Sequence, residues 1–246
     1  YVTDNLVFHI DAGDTNSYSG SGTTVNSLVG SITNSSYNSN INHSTSDGGY
    51  WSFVASGSSN TGTGIEFDLG SFPSSHFMPL GSNDMTYEVW MKSTGFIHSP
   101  FGLYRTYQSS DPLNTFAFFL QIPSISGIVV WAPDPASGTR YFESGPDDYS
   151  NNIWQHLVFT HDISATRVKV YVNGSEVRTY TNSTQWGSYV SDPADSHMLR
   201  VGRGGDGSVM GFSGDISIVR FYKGKALTLS EVTQNFNAEK ARYGYS

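Results

Sequence analysis

The stretch that most narrows what this chain can fold into is Arg167–Val172 (RVKVYV) with the Asn173-Gly174 that follows it. Val168, Val170 and Val172 alternate with Lys169 and Tyr171, and period-two alternation is the mark of a strand with one buried face. Asn-Gly supplies the positive φ that a two-residue type I′ hairpin requires, so a partner strand is expected to begin at Glu176 or Val177. The rest of the chain repeats the theme. Strand-like runs occur at 6–10 (LVFHI), 51–55, 64–69, 85–92, 116–122, 127–132, 140–143, 154–162, 176–180, 197–202 and 214–222. At 85–92, Tyr87, Val89 and Met91 alternate with Thr86, Glu88 and Trp90. Hairpin-type links and the lack of helical crossovers argue for an all-β, two-layer antiparallel β-sandwich.

Composition agrees with this and closes several functional classes. Charged residues are 14% of the chain, below the roughly 25% typical of soluble domains. Gly numbers 26, and Ser, Thr and Asn are frequent, which suits short strands and turns. The formal charge of −8 and scattered Lys and Arg give no basic stripe, so no nucleic-acid partner is expected. With no cysteine there is no disulfide framework, thiolate zinc site or thiol catalysis. No apolar run approaches the roughly 18 residues of a membrane span, so no membrane insertion is expected. A chain that opens on Tyr1 rather than Met reads as processed or excised from something longer.

Residues 1–246 are read as a single domain. The Ser/Asn/Gly-rich segment 11–49 is expected to lie on the sandwich as an extended loop, anchored by Val25, Leu28, Val29 and Ile32. One short C-terminal helix is expected from the capping box Thr228-x-x-Glu231, with Leu229, Val232 and Phe236 on one face. It is expected to cover an edge or end of the sandwich.

Three ordered stretches resemble laminin-G-like (concanavalin-A-like) domains. They are MTYEVWMK at 85–92, WQHLVFTHD at 154–162 running on through VKVYVNG at 168–174, and LRVG at 199–202 with FSGDISIVRFYK at 212–223 and ALT at 226–228. The resemblance implies a jelly roll that binds glycans, proteoglycans or proteins, often with calcium at its rim. It also implies that Trp90, Trp154 and His156 are packing residues. The opening LVFHIDAGDTNSYSGSGTT and the closing QNFNAEKARYG resemble segments of phage and other viral structural proteins. That implies a virion surface, with other virion proteins as partners.

Some relatives of the same broad fold are enzymes, so catalytic patterns need testing separately. Retaining glycanases on this sandwich carry E-x-D-x-E along one strand face. Here Glu66-Phe67-Asp68 lacks the third carboxylate, and Glu88 stands alone. An alginate-lyase-like Q-x-H is absent, because Pro123 stands where histidine would follow Gln121 and Ile122. A lyase built from His98, Tyr104 and Arg105 is the remaining variant. No HExxH or GxSxG occurs, and His156 and His161 fall on opposite faces. Gly202-x-Gly-x-x-Gly207 is followed by a strand, so it reads as a glycine-rich loop and not a dinucleotide site.

Sugar sites set aromatic rings against C–H faces beside a few polar groups. Trp131, Trp186, Tyr104, Tyr149 and Tyr189 are the candidate contacts, with Tyr107 and Tyr141 also on loops or polar faces. Pro133 and Pro135 suggest an edge or rim position for Trp131. Asp11, Asp14 and Asp215 are candidate ligands for a Ca2+, with Asp147-Asp148 a further acidic source. The sequence thus predicts a non-catalytic extracellular or virion-surface module that binds carbohydrate or a glycoprotein surface. A structural viral protein with a protein partner is the first alternative, and a polysaccharide lyase or glycoside hydrolase the second.

Overall fold

A computed structural model describes residues 1–54, 64–71, 84–94, 100–106, 116–121, 129–134, 138–143, 148–181, 196–204 and 210–246. The strands are β1 (Leu6–Asp11), β2 (Ser36–Tyr37), β3 (Asn42–Ser44), β4 (Tyr50–Phe53), β5 (Ile65–Ser71) and β6 (Met85–Ser93). There follow β7 (Phe101–Thr106), β8 (Phe116–Gln121), β9 (Val129–Asp134), β10 (Gly138–Glu143), β11 (Gln155–Asp162) and β12 (Arg167–Val172). The last are β13 (Ser175–Tyr180), β14 (Ser196–Val201), β15 (Arg203–Gly204), β16 (Met210–Gly211) and β17 (Gly214–Lys223), before helix α1 (Leu229–Glu239).

Among the described residues, one sheet runs β13-β12-β11-β6-β17-β4-β3, with β1 also on β17. The other runs β10-β9-β8-β7-β14-β5-β2, and β15 and β16 form a separate two-stranded ribbon. The facing sides make the main core. Tyr87, Val89, Phe159, Val170 and Phe221 of the first sheet meet Ile65, Phe67, Phe101 and Leu199 of the second. Aromatic contacts cross the interface: Phe8 on Phe67 at 5.1 Å and Phe101 on Phe221 at 5.5 Å.

The local devices read from the sequence are present. Asn173 and Gly174 take φ of 51° and 79° between β12 and β13. The Asn173 side chain also accepts the His156 N–H at 2.9 Å, so the turn is tied to β11. The segment 11–49 does lie on the sandwich: Val25 is fully buried, β2 extends the second sheet and β3 the first. It therefore straps both sheets together. Thr228 caps α1, and Glu231 returns the bond to the cap nitrogen.

The structure differs from expectation in three places. First, α1 covers a face of the sandwich, not an edge or end. It lies over the outer side of the first sheet and adds a third layer. Its Val232 and Asn235 are buried, Phe236 stacks on Trp90 at 5.6 Å, and Leu229, expected on the apolar face, is instead 48% exposed. Second, β6 is consequently buried on both faces, although its alternation reads as one dry and one wet side. Third, β7 is an unpredicted strand in the middle of the second sheet. Gly102 and the preceding Pro100 lower its local strand signal, and pairing with β14 and β8 overrides that.

A bulge in β17 serves the third layer. Register slips between Ile216 and Ile218, so Ile216 and Val219 join the inter-sheet core while Ile218 joins Trp90, Trp154 and Tyr243 outside it.

Candidate functional site

The two outer faces of the sandwich have different fates. That of the first sheet is covered over Glu88 and Arg220 by α1 and the residues on either side of it. At its centre Glu88 and Arg220 are fully buried and joined at 2.8 Å. Arg220 also reaches Glu239 of α1 at 2.7 Å and donates to His9 Nε2 at 3.2 Å. Asn235 donates to Glu88 at 2.6 Å and to the Tyr222 hydroxyl at 2.9 Å, while its own oxygen accepts the Val2 N–H at 2.6 Å. His156 Nε2 stands 3.1 Å from the same carboxylate. Burial alone would raise the Glu88 carboxyl, but the Arg220 charge and the His156 and Asn235 contacts outweigh it and bring it down to about 2. With Glu88 and Arg220 walled off from solvent, this network has no route to a substrate. Its chemistry is structural, clamping the ends of the chain onto the sheet.

Two buried histidines, His9 in that clamp and His161 farther along β11, make the fold acid-sensitive. Burial, reinforced by the Arg220 charge, pushes His9 from 6.5 down to about 3. Burial, partly offset by Asp84 and Asp162, pushes His161 down to about 4. Both are neutral in the fold and titrate near the ordinary value when unfolded, so the unfolded chain binds more protons below it. The stabilisation is complete above pH 6.5 and is lost as pH falls towards 4 and 3, at up to about 1.4 kcal/mol per pH unit for each histidine. Urea unfolding at pH 7.5, 6, 5 and 4.5 is expected to show falling stability, and His9→Gln to flatten the slope by about one proton. An unchanged slope in His9→Gln would contradict this placement.

The outer face of the second sheet carries a different set of residues. Strand register aligns Ser36, Glu66, Arg200, Gly102, Phe119, Trp131 and Tyr141 in one cross-strand row. Their neighbours in sequence Ile65, Phe67, Leu199, Val201 and Phe101 face the core, which puts the row on the opposite side. Glu66 and Arg200 are partly exposed and paired at 2.9 Å, and Arg203 lies 3.8 Å from the same carboxylate. Asp68, two residues on from Glu66, is exposed. The next row on this face aligns Asp68 with Met198 and Tyr104. At roughly 4.8 Å between strands, Arg200 and position 131 are about 14 Å apart, with the side-chain-free Gly102 beside Arg200. Polar groups at one end and three aromatic positions at the other, on one sheet face, suit a ligand with both hydroxyl groups and apolar ring faces.

Of the residues predicted from sequence, Trp131 and Tyr104 thus fall on one sheet face, in adjoining rows. Trp131 lies in the strand next to the edge and not on a loop. It is the last β9 residue paired with β8, and Ala132–Asp134 pair with β10 alone. Trp186, Tyr189 and Tyr107 lie outside the described residues. Tyr149 is half-buried against the main core and its hydroxyl accepts the Ser93 N–H at 3.2 Å; burial pushes it up to about 12.

The proposed calcium ligands have protein partners. Asp11 is held by both terminal nitrogens of Arg242, at 2.7 and 2.8 Å. Asp215 pairs with Lys92 at 2.8 Å and accepts from Ser52 at 2.6 Å. Asp14 accepts from the Asn16 backbone and side chain at 2.8 and 3.0 Å. Among the described residues no three His, Asp or Glu side chains come together to hold a metal. A cation at Asp11 or Asp215 would have to displace Arg242 or Lys92. Sequence reading passed over Arg200 and Phe119, because only the pairing of distant strands brings them into line with Trp131.

A sequence-family model described as the concanavalin A-like lectin/glucanases superfamily matches residues 69–233, more than half of the 246-residue chain. The chain belongs to that superfamily. No curated protein sequence matches it. Among solved structures it is similar to the binding domain of botulinum neurotoxin DC in complex with rat synaptotagmin II. There the TM-score is 0.67 at 11% identity, covering 96% of this chain and 52% of that one. It is also similar to the CBM40 of the Ruminococcus gnavus IT-sialidase bound to α2,3-sialyllactose. Here the TM-score is 0.55 at 17% identity, covering 75% and 96%. Trypanosoma rangeli sialidase gives a TM-score of 0.66 at 12% identity, covering 99% and 34%. The chain therefore spans about half the length of the toxin binding domains, and at these identities the likenesses establish the fold alone. The jelly-roll expectation holds.

Proposed function

We propose that this lectin-like sandwich is a non-catalytic carbohydrate-recognition module that reads cell-surface or glycoprotein glycans with the outer face of its second sheet. The cross-strand row from Glu66 and Arg200 to Phe119, Trp131 and Tyr141 carries the reading. An aromatic position stacks on a sugar's C–H face, and the Arg200–Glu66 pair offers fixed donors and acceptors to its hydroxyls. Beneath α1 the opposite sheet face is closed, and Glu88, fully buried there, has no access to solvent. Glu66 is occupied by Arg200, which leaves no free carboxylate pair of the kind glycoside hydrolysis uses at that end of the row. Similar solved structures support the choice of ligand: one is a CBM40 bound to α2,3-sialyllactose, and another a neurotoxin DC binding domain in complex with SialylT.

A glycan array probed with the full chain is expected to return hits. Trp131→Ala is expected to weaken them at least about tenfold, in line with the 1.4 kcal/mol or more that a stacked aromatic contributes. Unfolding midpoints should stay close to wild type, since the position is assigned to the outer face. Unaltered array binding by Trp131→Ala would remove this face as the site. Steady depolymerisation of a polysaccharide would replace the binding reading with an enzymatic one.

A further inference from the structure

We propose that Asn173 is a latent self-modification site: α1 holds it inert while seated, and its side-chain amide is lost when α1 lifts from the sheet. Asn173-Gly174 is the chain's one Asn-Gly step. Glycine leaves the next backbone nitrogen unhindered and the chain free to reach conformations that other residues avoid. An asparagine in that position is open to attack by its own backbone, and the reaction needs only water. The Gly174 nitrogen gives its proton to solvent and bonds to Asn173 Cγ, and the Cγ–Nδ2 bond breaks to release ammonia. Water then opens the cyclic imide. Cleavage between the Gly174 nitrogen and Cγ leaves aspartate, and cleavage between that nitrogen and the main-chain carbonyl leaves isoaspartate. Nothing is oxidised or reduced.

The fold grips both reacting groups. The Asn173 backbone N–H donates to the His156 carbonyl at 2.8 Å, and its side-chain oxygen accepts the His156 N–H at 2.9 Å. The carboxamide is thereby committed to β11, and it is also hydrogen-bonded to the Tyr245 hydroxyl. Gly174 is buried, with its carbonyl accepting from Thr233 Oγ1 at 3.0 Å. A side chain at this position would meet the Phe236 ring at 3.1 Å, so that ring lies directly against the turn.

Intramolecular attack proceeds only from an aligned geometry. Here the carboxamide has to leave His156, and Gly174 has to move off Phe236, before the nitrogen can reach Cγ. Thr233 and Phe236 both belong to α1, so the lock on Gly174 lasts only as long as the helix stays docked. An 11-residue helix is held by packing, which makes it a unit that can open with the sheets intact. Isoaspartate adds a carbon to the main chain of a two-residue turn whose conformation is tightly set, so the change records the opening permanently.

The test is peptide mapping of the full chain, with aspartate and isoaspartate at position 173 followed over time in mildly alkaline buffer, native and in urea. In urea the amide is expected to be lost readily. In the native chain the loss is expected to be at least about 100-fold slower, the factor that an opening costing about 2.7 kcal/mol imposes. Phe236→Ala is expected to speed the native loss at least about tenfold. Thr233→Val, which removes only the bond to the Gly174 carbonyl, is expected to speed it in the same direction. Leu199→Ala, a truncation in the buried core between the sheets, separates local from global opening. Per unit of stability lost in urea unfolding, it is expected to speed the loss less than Phe236→Ala. The proposal is overturned by a native rate that falls short of the stated gap, or by wild-type rates in both Phe236→Ala and Thr233→Val. Equal acceleration by Leu199→Ala and Phe236→Ala would also overturn it, since the amide would then be lost only through unfolding of the whole chain.

Discussion

Replacing Arg220 by methionine is expected to destabilise the chain by about 3–5 kcal/mol, because Glu88 is then left buried without its cation. Both side chains are fully buried, and Arg220 also holds Glu239 of the helix and the ring of His9. The loss follows from stranding a charge and not from removing a favourable pair as such. Glu88→Leu combined with Arg220→Met is therefore expected to recover much of it, since an apolar pair of similar volume avoids desolvation altogether. Urea unfolding of the two single variants and the double variant measures this directly. A single variant within about 1 kcal/mol of wild type would mean that the network is not closed to water as described.

Trp90→Ala is expected to cost about 3–5 kcal/mol and, more specifically, to loosen the third layer. Trp90 has no exposed surface and is stacked by Tyr243 at 4.1 Å, His156 at 5.0 Å and Phe236 at 5.6 Å. An 11-residue helix is marginal without such packing, so its loss should free the C-terminal segment before the sandwich itself opens. Trypsin under native conditions is the readout, because Lys240 and Arg242 lie in the turn just after α1. Cleavage there is expected to accelerate in Trp90→Ala and to stay slow in Trp90→Phe. Equal cleavage rates in wild type and Trp90→Ala would show that the cap does not depend on this ring.

The sandwich was legible because its signals are local. The Asn173-Gly174 turn, the valine alternation before it and the Thr228–Glu231 capping box each act within a few residues. The third layer was not legible, because its signal is a relation between distant residues. Glu88 read as a lone carboxylate on its strand; its partner Arg220 lies 132 positions away, in another strand. Leu229 read as part of an apolar helix stripe, but the sheet beneath turns Val232 and Asn235 inward instead. The candidate site was half legible for the same reason. Trp131 and Tyr104 stand out by residue type, whereas Glu66, Arg200 and Phe119 join them only through the register of strands that are separated in sequence. Glu66 was noticed, but as half of a catalytic pattern.

The measurement that bears most directly on the central claim is a crystal structure of the chain with its strongest array-selected glycan. The account predicts a sugar on the outer face of the second sheet, stacked at Trp131 or Phe119 and hydrogen-bonded to Arg200 or Glu66. A glycan bound elsewhere, with this face in solvent, would contradict it.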